Sequence, residues 1–350
     1  MRTFYTSAVM LRNGVKENLY NIPTIALWQK AIFHDVSHFN INPFWNPPFV
    51  AILFFPLSFI SFNNAYIIFA FLNTCIILAC VYIILHELYP EKQYIKALFP
   101  LIFSFFYFPI LLTICQGQLS FFLLGGIVFS WYAFKHKSFF VAGIALSLLL
   151  IKPYMILIPL ILLFWKKQWR TLQGVFLSTG FLIVISIFTV GWSGLYKYGE
   201  LLFNGLFAAE NYSLFPQTEP TLRGLLQLIA HSNSLYVIII PFLIGIVCIG
   251  LLFTLTWKGS FDTTNSRFDM QWGILVIMII LTSIHTNYYE LTLLLLPYII
   301  LLKYSNKNRF LYIGGIILDA ITFAFYPQAS LITSLIILVL GMLYVKQYSL

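Results

Sequence analysis

One charged residue stands in the middle of the most apolar part of this chain. Lys152 sits with Pro153 between two apolar arms in the stretch Gly117 to Arg170, and basic clusters close both ends of the arms: Lys135, His136 and Lys137 before them, Lys166, Lys167 and Arg170 after them. Each arm has about 13 residues, roughly 20 Å as helix, against a hydrocarbon core of roughly 30 Å. A lysine at that depth is costly and marks a functional site by default. Clustered Lys and Arg mark cytoplasmic ends. The pattern therefore predicts a helical hairpin with both arms rooted in the cytoplasm and Lys152 at an apex facing a water-filled cavity. The competing arrangement is one long tilted helix with Lys152 snorkelling or paired to a carboxylate. It puts the basic clusters on opposite membrane sides, so the hairpin is preferred. The other chemistry-bearing residues are few. His34 and His38 flank Asp35 at the i, i+4 spacing that can bind a metal on a helix, although a solvated surface turn explains them better. Asn211-Tyr212-Ser213 fits the N-glycosylation pattern and is followed by Arg223.

The elements that must position these residues are helices in a membrane. The chain has 350 residues, 60% hydrophobic, 19% aromatic and 9% charged, with a mean hydropathy of +0.89. That balance excludes a soluble domain and predicts an all-α, polytopic integral membrane protein. Open sheets cannot span lipid, and the apolar runs are too long for barrel strands. A net charge of +9 would point to nucleic acid in a soluble protein. Here the Lys/Arg excess of cytoplasmic loops accounts for it, so no nucleic acid partner is expected. Cys75, Cys80, Cys115 and Cys248 lie in apolar segments without zinc or CxxC spacing. No metal site is expected, and no cofactor, a divalent ion being left open. No cleavable signal peptide, linker or internal repeat is evident.

Residues 1–46 are mixed polar and aromatic, with loose amphipathic character over 3–12 and 23–33, suited to short helices on a membrane surface. Asn46-Pro47-Pro48 stops one helix and starts the next. Apolar segments follow at 49–62, 65–86, 96–113, 117–134, 139–151, 153–165, 171–191, 234–257, 270–286, 289–302, 310–326 and 328–345. Segment 49–62 is expected either to be re-entrant or interfacial, which its prolines and short length suit, or to leave the N-terminal region inside. Placing the loops 87–95, 135–138, 166–170, 258–269 and 303–309 inside makes the alternation work from segment 65–86 onward. The opposite face then carries Gln116–Gln118, the Lys152 apex, loop 192–233 and the turn at His285–Glu290. The unusual polar residues segregate there, which predicts an active site on the extracytoplasmic face.

Four stretches carry a family resemblance: FYTSAVMLRNGVKENLY from Phe4 to Tyr20, NPPFVAILFFPLSFISFNNAY from Asn46 to Tyr66, GQLSFFLLGG with the Lys-Pro core, and ENYSLFPQTEPTLRGLL from Glu210 to Leu226. In order and spacing they resemble glycosyltransferase family 87, the polyprenyl-phosphate-mannose-dependent mannosyltransferases with the GT-C type of membrane fold. The resemblance implies a GT-C-like bundle in a single membrane domain: an outer loop with surface helices over 1–48, the core over 49–191, an outer loop over 192–233 and C-terminal helices over 234–350. It implies transfer of a hexose, most often mannose, from a polyprenyl-phosphate donor to a glycolipid or glycan acceptor on the outer face of a bacterial plasma membrane. Membrane lipid is the remaining partner.

Such chemistry needs a base for the acceptor hydroxyl, cations for the departing phosphate and a greasy groove for the polyprenyl chain. Lys152 and Arg223 suit the phosphate. Gln118, Asn211, His285 and Tyr5 are candidate substrate contacts, His285 because it resembles a histidine of the family's late outer turn. Family members begin with a helix that ends in an Asp before the aromatic-Tyr motif, and that Asp is the expected base. Met1 falls beside its place, so the sequence starts either at an internal methionine or in a degenerate member. Asp35 and Glu290 are then the substitute bases, and the chain from Met1 is expected to be inactive unless one of them serves. Two other classes compete. A transporter or flippase for a lipid-linked glycan would show repeat symmetry with matched broken helices, whereas the sequence has one Lys-Pro break. A non-catalytic GT-C-like protein would lack the Asp.

Overall fold

The computed structural model describes residues 1–33, 42–89, 107–207, 219–224 and 261–304, and single positions at 102, 104, 239, 240, 243, 247, 250 and 257. Among these residues every regular element is helical, and the protein is an all-α membrane protein. The helices are α1 (Arg2–Arg12), α2 (Ile22–Phe33), α3 (Pro48–Phe54), α4 (Phe62–Leu88), α5 (Phe108–Gln116), α6 (Ser120–Lys135), α7 (Phe139–Leu146), α8 (Leu157–Trp165), α9 (Trp169–Phe207), α10 (Ser266–Leu281) and α11 (Leu295–Tyr304). Two of them, α4 and the Trp169–Asn204 part of α9, are long and apolar enough to cross a membrane. The expected segments 234–257, 310–326 and 328–345, and the first part of 96–113, lie outside the described residues apart from those single positions.

The chain forms two compact units. The first is built from Met1–Leu72, Leu150–Lys152 and Phe176–Phe215, and the second from Asn73–Leu149, Pro153–Val175 and Pro216–Leu350. In the first unit α1 packs on α2, α3 and the 3-10 turn Phe55–Phe59. Its face from Phe4 to Met10 is fully buried, so this helix is more enclosed than a surface helix. Phe4 stacks on Phe54 with centroids 4.8 Å apart, and Phe54 meets Phe69 at 4.8 Å. The expected segment 49–62 is broken as its prolines demand. The seven residues of α3 pass into the 3-10 turn, and Ile60 is extended.

The Lys-Pro stretch does fold as two arms. They are α7 with the 3-10 turn Ser147–Ile151, then the 3-10 turn Pro153–Ile156 with α8. A Cβ on Gly143 would run into the carbonyl of Thr171 and lie 2.9 Å from the nitrogen of Val175; one on Gly174 would run into the carbonyl of Phe140. The starts of α7 and α9 therefore cross in direct backbone contact. A single straight helix would carry the chain about 33 Å from Gly143 to Trp165. The six steps on to Thr171 could recover only about 21 Å even fully extended. The chain must turn back in between, at the two 3-10 turns around Lys152. The basic turns 135–138 and 166–168, which immediately precede α7 and α9, consequently sit at the same end of that helix pair.

The sequence places a loop from 192 onward, but α9 continues to Phe207. Gly191 takes φ 70° and ψ −179°, outside the helical region, and the chain then resumes its helix. Only glycine adopts that combination without steric penalty.

Candidate functional site

In the second unit α5, α6 and the 3-10 helix Tyr288–Leu294 pack together, and α10 and α11 close around them. The 3-10 helix starts from Asn287 in a capping box: Asn287 caps the helix, and the Glu290 carboxylate accepts from the Asn287 backbone N–H at 2.6 Å. Tyr107 donates to the carbonyl of Leu291 at 2.8 Å, and Thr113 donates to the carbonyl of Tyr289 at 3.2 Å. These bonds fix the backbone on which the polar turn Ser283–Asn287 hangs.

On that turn His285 meets Glu219. The Nδ1 of His285 lies 2.5 Å from Oε1 of Glu219, whose other oxygen accepts from the backbone N–H of Thr286 at 3.4 Å. The Glu219 side chain is 2% exposed and the His285 side chain 20%. On the far side of the ring the amide nitrogen of Asn287 lies 3.2 Å from Nε2, and it donates to the Tyr289 hydroxyl at 2.7 Å. One tautomer satisfies every contact: Nδ1–H donates to Glu219 and Nε2 accepts from Asn287. The backbone of His285 is held as firmly. Its carbonyl accepts from the Tyr154 hydroxyl at 2.6 Å and from Ser283 at 3.2 Å, and Arg223 donates to the carbonyl of Ile284 at 3.2 Å. Burial pulls the Arg223 guanidinium below its ordinary pKa, and the Glu219 carboxylate pushes it back up.

The expected site residues divide by what they touch. His285, Arg223 and Glu290 come together with Glu219. Glu290 is 1% exposed and closes the capping box on the Asn287 N–H. Gln118 is half-buried in the turn after α5, where Gly117 takes φ 58°, and its carbonyl accepts from the Asn73 amide at 3.1 Å. In the first unit Tyr5 donates to the carbonyl of Ile60 at 2.7 Å, tying α1 to the end of the 3-10 turn. Lys152 is half-buried beside Ile151, whose carbonyl accepts from the Asn46 side chain at 3.1 Å. Tyr20 in turn donates to the Asn46 carbonyl at 2.9 Å. The Asn-Pro-Pro and Lys-Pro stretches, 105 residues apart, are thus bonded through Asn46. Asp35, with its flanking histidines, and Asn211 lie outside the described residues. Among the described residues no group of three His, Cys, Asp or Glu side chains could hold a metal ion.

Sequence reasoning missed Glu219, Tyr154 and Asn287. Glu219 did leave a signal. It is one of 11 acidic residues in the chain and stands four positions before Arg223, a spacing at which opposite charges meet on a helix. Tyr154 is the third member of the Lys-Pro-Tyr triplet, yet nothing local says that its hydroxyl reaches a residue 131 positions away.

No curated protein and no solved structure matches the chain. The model of glycosyltransferase family 87 matches residues 44–283, which is more than half of the sequence and takes in Lys152, Glu219 and Arg223; it ends at Ser283, two residues before His285. The chain belongs to glycosyltransferase family 87 and is a membrane glycosyltransferase.

Proposed function

We propose that this protein transfers a hexose, with mannose as the first candidate, from a polyprenyl-phosphate donor to a glycolipid or glycan acceptor. It does so at the extracytoplasmic face of a bacterial plasma membrane that it crosses several times. Family membership supplies the reaction type. The observation that carries the rest is the Glu219–His285 pair, its carboxylate buried, on a turn bonded to Tyr154. In the tautomer described above, the imidazole has an acceptor nitrogen at Nε2 and a carboxylate behind Nδ1–H. That is the arrangement a general base needs.

The acceptor hydroxyl gives its proton to Nε2 of His285, in place of the Asn287 amide, while Glu219 stabilises the resulting imidazolium. The acceptor oxygen bonds to the anomeric carbon as the bond from that carbon to the phosphate oxygen breaks. Polyprenyl phosphate leaves with the electron pair, and the anomeric configuration inverts. Lys152 and Arg223 are the cations for the departing phosphate. Arg223 also braces the turn through Ile284. Gln118, Asn211 and Tyr5 remain the proposed substrate contacts. Of the bases proposed from the sequence, Glu290 is committed to its cap, so Glu219 acting through His285 fits better; Asp35 stays a candidate. No cofactor enters the scheme.

The test is incubation of membranes containing the protein with labelled polyprenyl-phosphate mannose, glucose and galactose, followed by identification of the product and its anomeric configuration. Transfer from one of them with inversion, lost in His285→Ala, supports the reading. Transfer undiminished in His285→Ala, or retention of configuration, overturns it.

A further inference from the structure

Four helices in the described residues end in the same hydrogen-bonded loop. Each has an N–H bond back to the carbonyl five residues earlier and a second bond nested inside it. In two of them the residue with positive φ is glycine: Gly14 at 76° and Gly117 at 58°. In the other two it is lysine: Lys137 at 56° and Lys167 at 53°. The bonds are as well formed, with Ser138 N–H to the carbonyl of Ala133 at 2.8 Å and Gln168 N–H to that of Leu163 at 2.9 Å. A Cβ in this region is unfavourable, which is why glycine is the usual residue there. Both lysines sit at the end of the α7–α9 helix pair that carries the two basic turns.

That end carries an excess of positive charge over an aromatic rim. Lys137, Lys167 and Arg170 are exposed. Trp165 and Trp169 are 45% and 57% exposed, and Lys166 lies 4.6 Å over the Trp165 ring. The acidic groups described there are already engaged. Glu87 bridges Lys135 at 3.7 Å and His136 at 3.0 Å. Asp269 takes Lys135 at 3.3 Å together with the Trp131 indole and the Tyr304 hydroxyl, each at 2.8 Å. Asp262 is bonded to Thr264 and Asn265 within its own turn and offsets part of the charge of Lys137, which leaves Lys166, Lys167 and Arg170 in excess.

We propose that the two lysine-closed turns, with Arg170 and the tryptophans Trp165 and Trp169, form a docking collar for the headgroups of anionic phospholipids. Indole rings favour the headgroup level of a bilayer. Cations at that level attract anionic lipid, each contributing about fivefold to binding. A soluble phosphate would meet the charge but gain nothing from the indoles, so the lipid is the occupant. The collar does not depend on which reaction the protein performs.

The lysines provide an unusually clean test. Lys137→Gly with Lys167→Gly removes two cations and installs the residue such turns normally use, so the fold should survive. The full chain in detergent is titrated with phosphatidylglycerol or with phosphatidylcholine of the same acyl chains, and retained lipid is counted by native mass spectrometry. The collar predicts preferential retention of phosphatidylglycerol and a roughly thirtyfold loss of that affinity in the double variant, with phosphatidylcholine unaffected and the unfolding temperature unchanged or raised. Equal retention of the two lipids, or phosphatidylglycerol held as tightly by the double variant, overturns the proposal. So does displacement of phosphatidylglycerol by inorganic phosphate, which would mark a soluble-anion site. If the unfolding temperature falls, Lys137→Asn with Lys167→Asn, which also tolerates positive φ, replaces the glycine pair and is read in the same way.

Discussion

The imidazole of His285 and the carboxylate of Glu219 lie 2.5 Å apart, Nδ1 to Oε1, across 66 residues of chain. The carboxylate is almost wholly out of water, where an unpartnered charge is strongly unfavourable. Each group therefore requires the other, and the Tyr154 and Arg223 bonds to the adjoining carbonyls hold the turn so that they meet.

Glu219→Gln keeps the shape of that pair and removes its charge. We expect transfer to fall by roughly 10²- to 10⁴-fold, the usual contribution of a positioned base, with little change in expression. Glu219→Asp should retain part of the activity. Initial rates with labelled donor in membranes check this; a glutamine variant at full rate excludes the pair from proton transfer.

Lys152→Ala is expected to abolish transfer while leaving the amount of membrane-inserted protein unchanged, because the half-buried ammonium is proposed to act on the donor phosphate rather than on the fold. Lys152→Arg should recover some rate. Parallel immunoblots and transfer assays separate the two effects.

Tyr20 gives a pH dependence with a definite sign. Burial, with the nearby Tyr198, pushes its phenol well above the ordinary value near 10. The folded state then holds the proton more tightly than the unfolded one. The stabilisation is fully present below pH about 10 and is lost as pH rises toward the folded value. Tyr20→Phe removes the bond to Asn46 and should lower stability by about 1 kcal/mol at neutral pH. It should also flatten the alkaline loss. Unfolding midpoints of the two proteins from pH 8 to 11 make the comparison.

Gly143→Ala should destabilise the protein by about 1–3 kcal/mol, since the new methyl meets the backbone of α9 rather than a movable side chain. Gly180→Ala is the control. It sits in α9 with nothing within 4 Å of the added carbon, and should be neutral or stabilising by up to about 1 kcal/mol. Thermal unfolding of both variants in one detergent decides it.

The proposed orientation can be tested with single cysteines in a background lacking Cys75, Cys80, Cys115 and Cys248. An impermeant maleimide should label Gln118→Cys on intact cells. Lys137→Cys should react only after permeabilisation. The opposite pattern would invert the topology.

Composition alone determined the class of this protein, because 60% hydrophobic residues with 9% charged ones leave only helices in lipid as a way to satisfy the backbone. Local sequence also located α1, α2 and α4 to within a few residues, and the Lys-Pro pair marked the hairpin, since proline removes a helical hydrogen bond wherever it stands. The continuation of α9 beyond Gly191 was not legible. Glycine permits the break there, but only packing decides whether a helix resumes on the other side. The candidate site was half legible. His285 and Arg223 stood out by residue type, whereas Glu219, Tyr154 and Asn287 gained their meaning from partners. Tertiary structure alone decided that Glu219 meets His285, that Tyr154 holds the same turn and that Asn46 reaches Ile151. Those bonds join residues 66, 131 and 105 positions apart. Helical periodicity relates a residue only to neighbours a turn or two away, so it cannot encode such pairings. They arise when buried polar groups, cut off from water, must find one another across the packed helices.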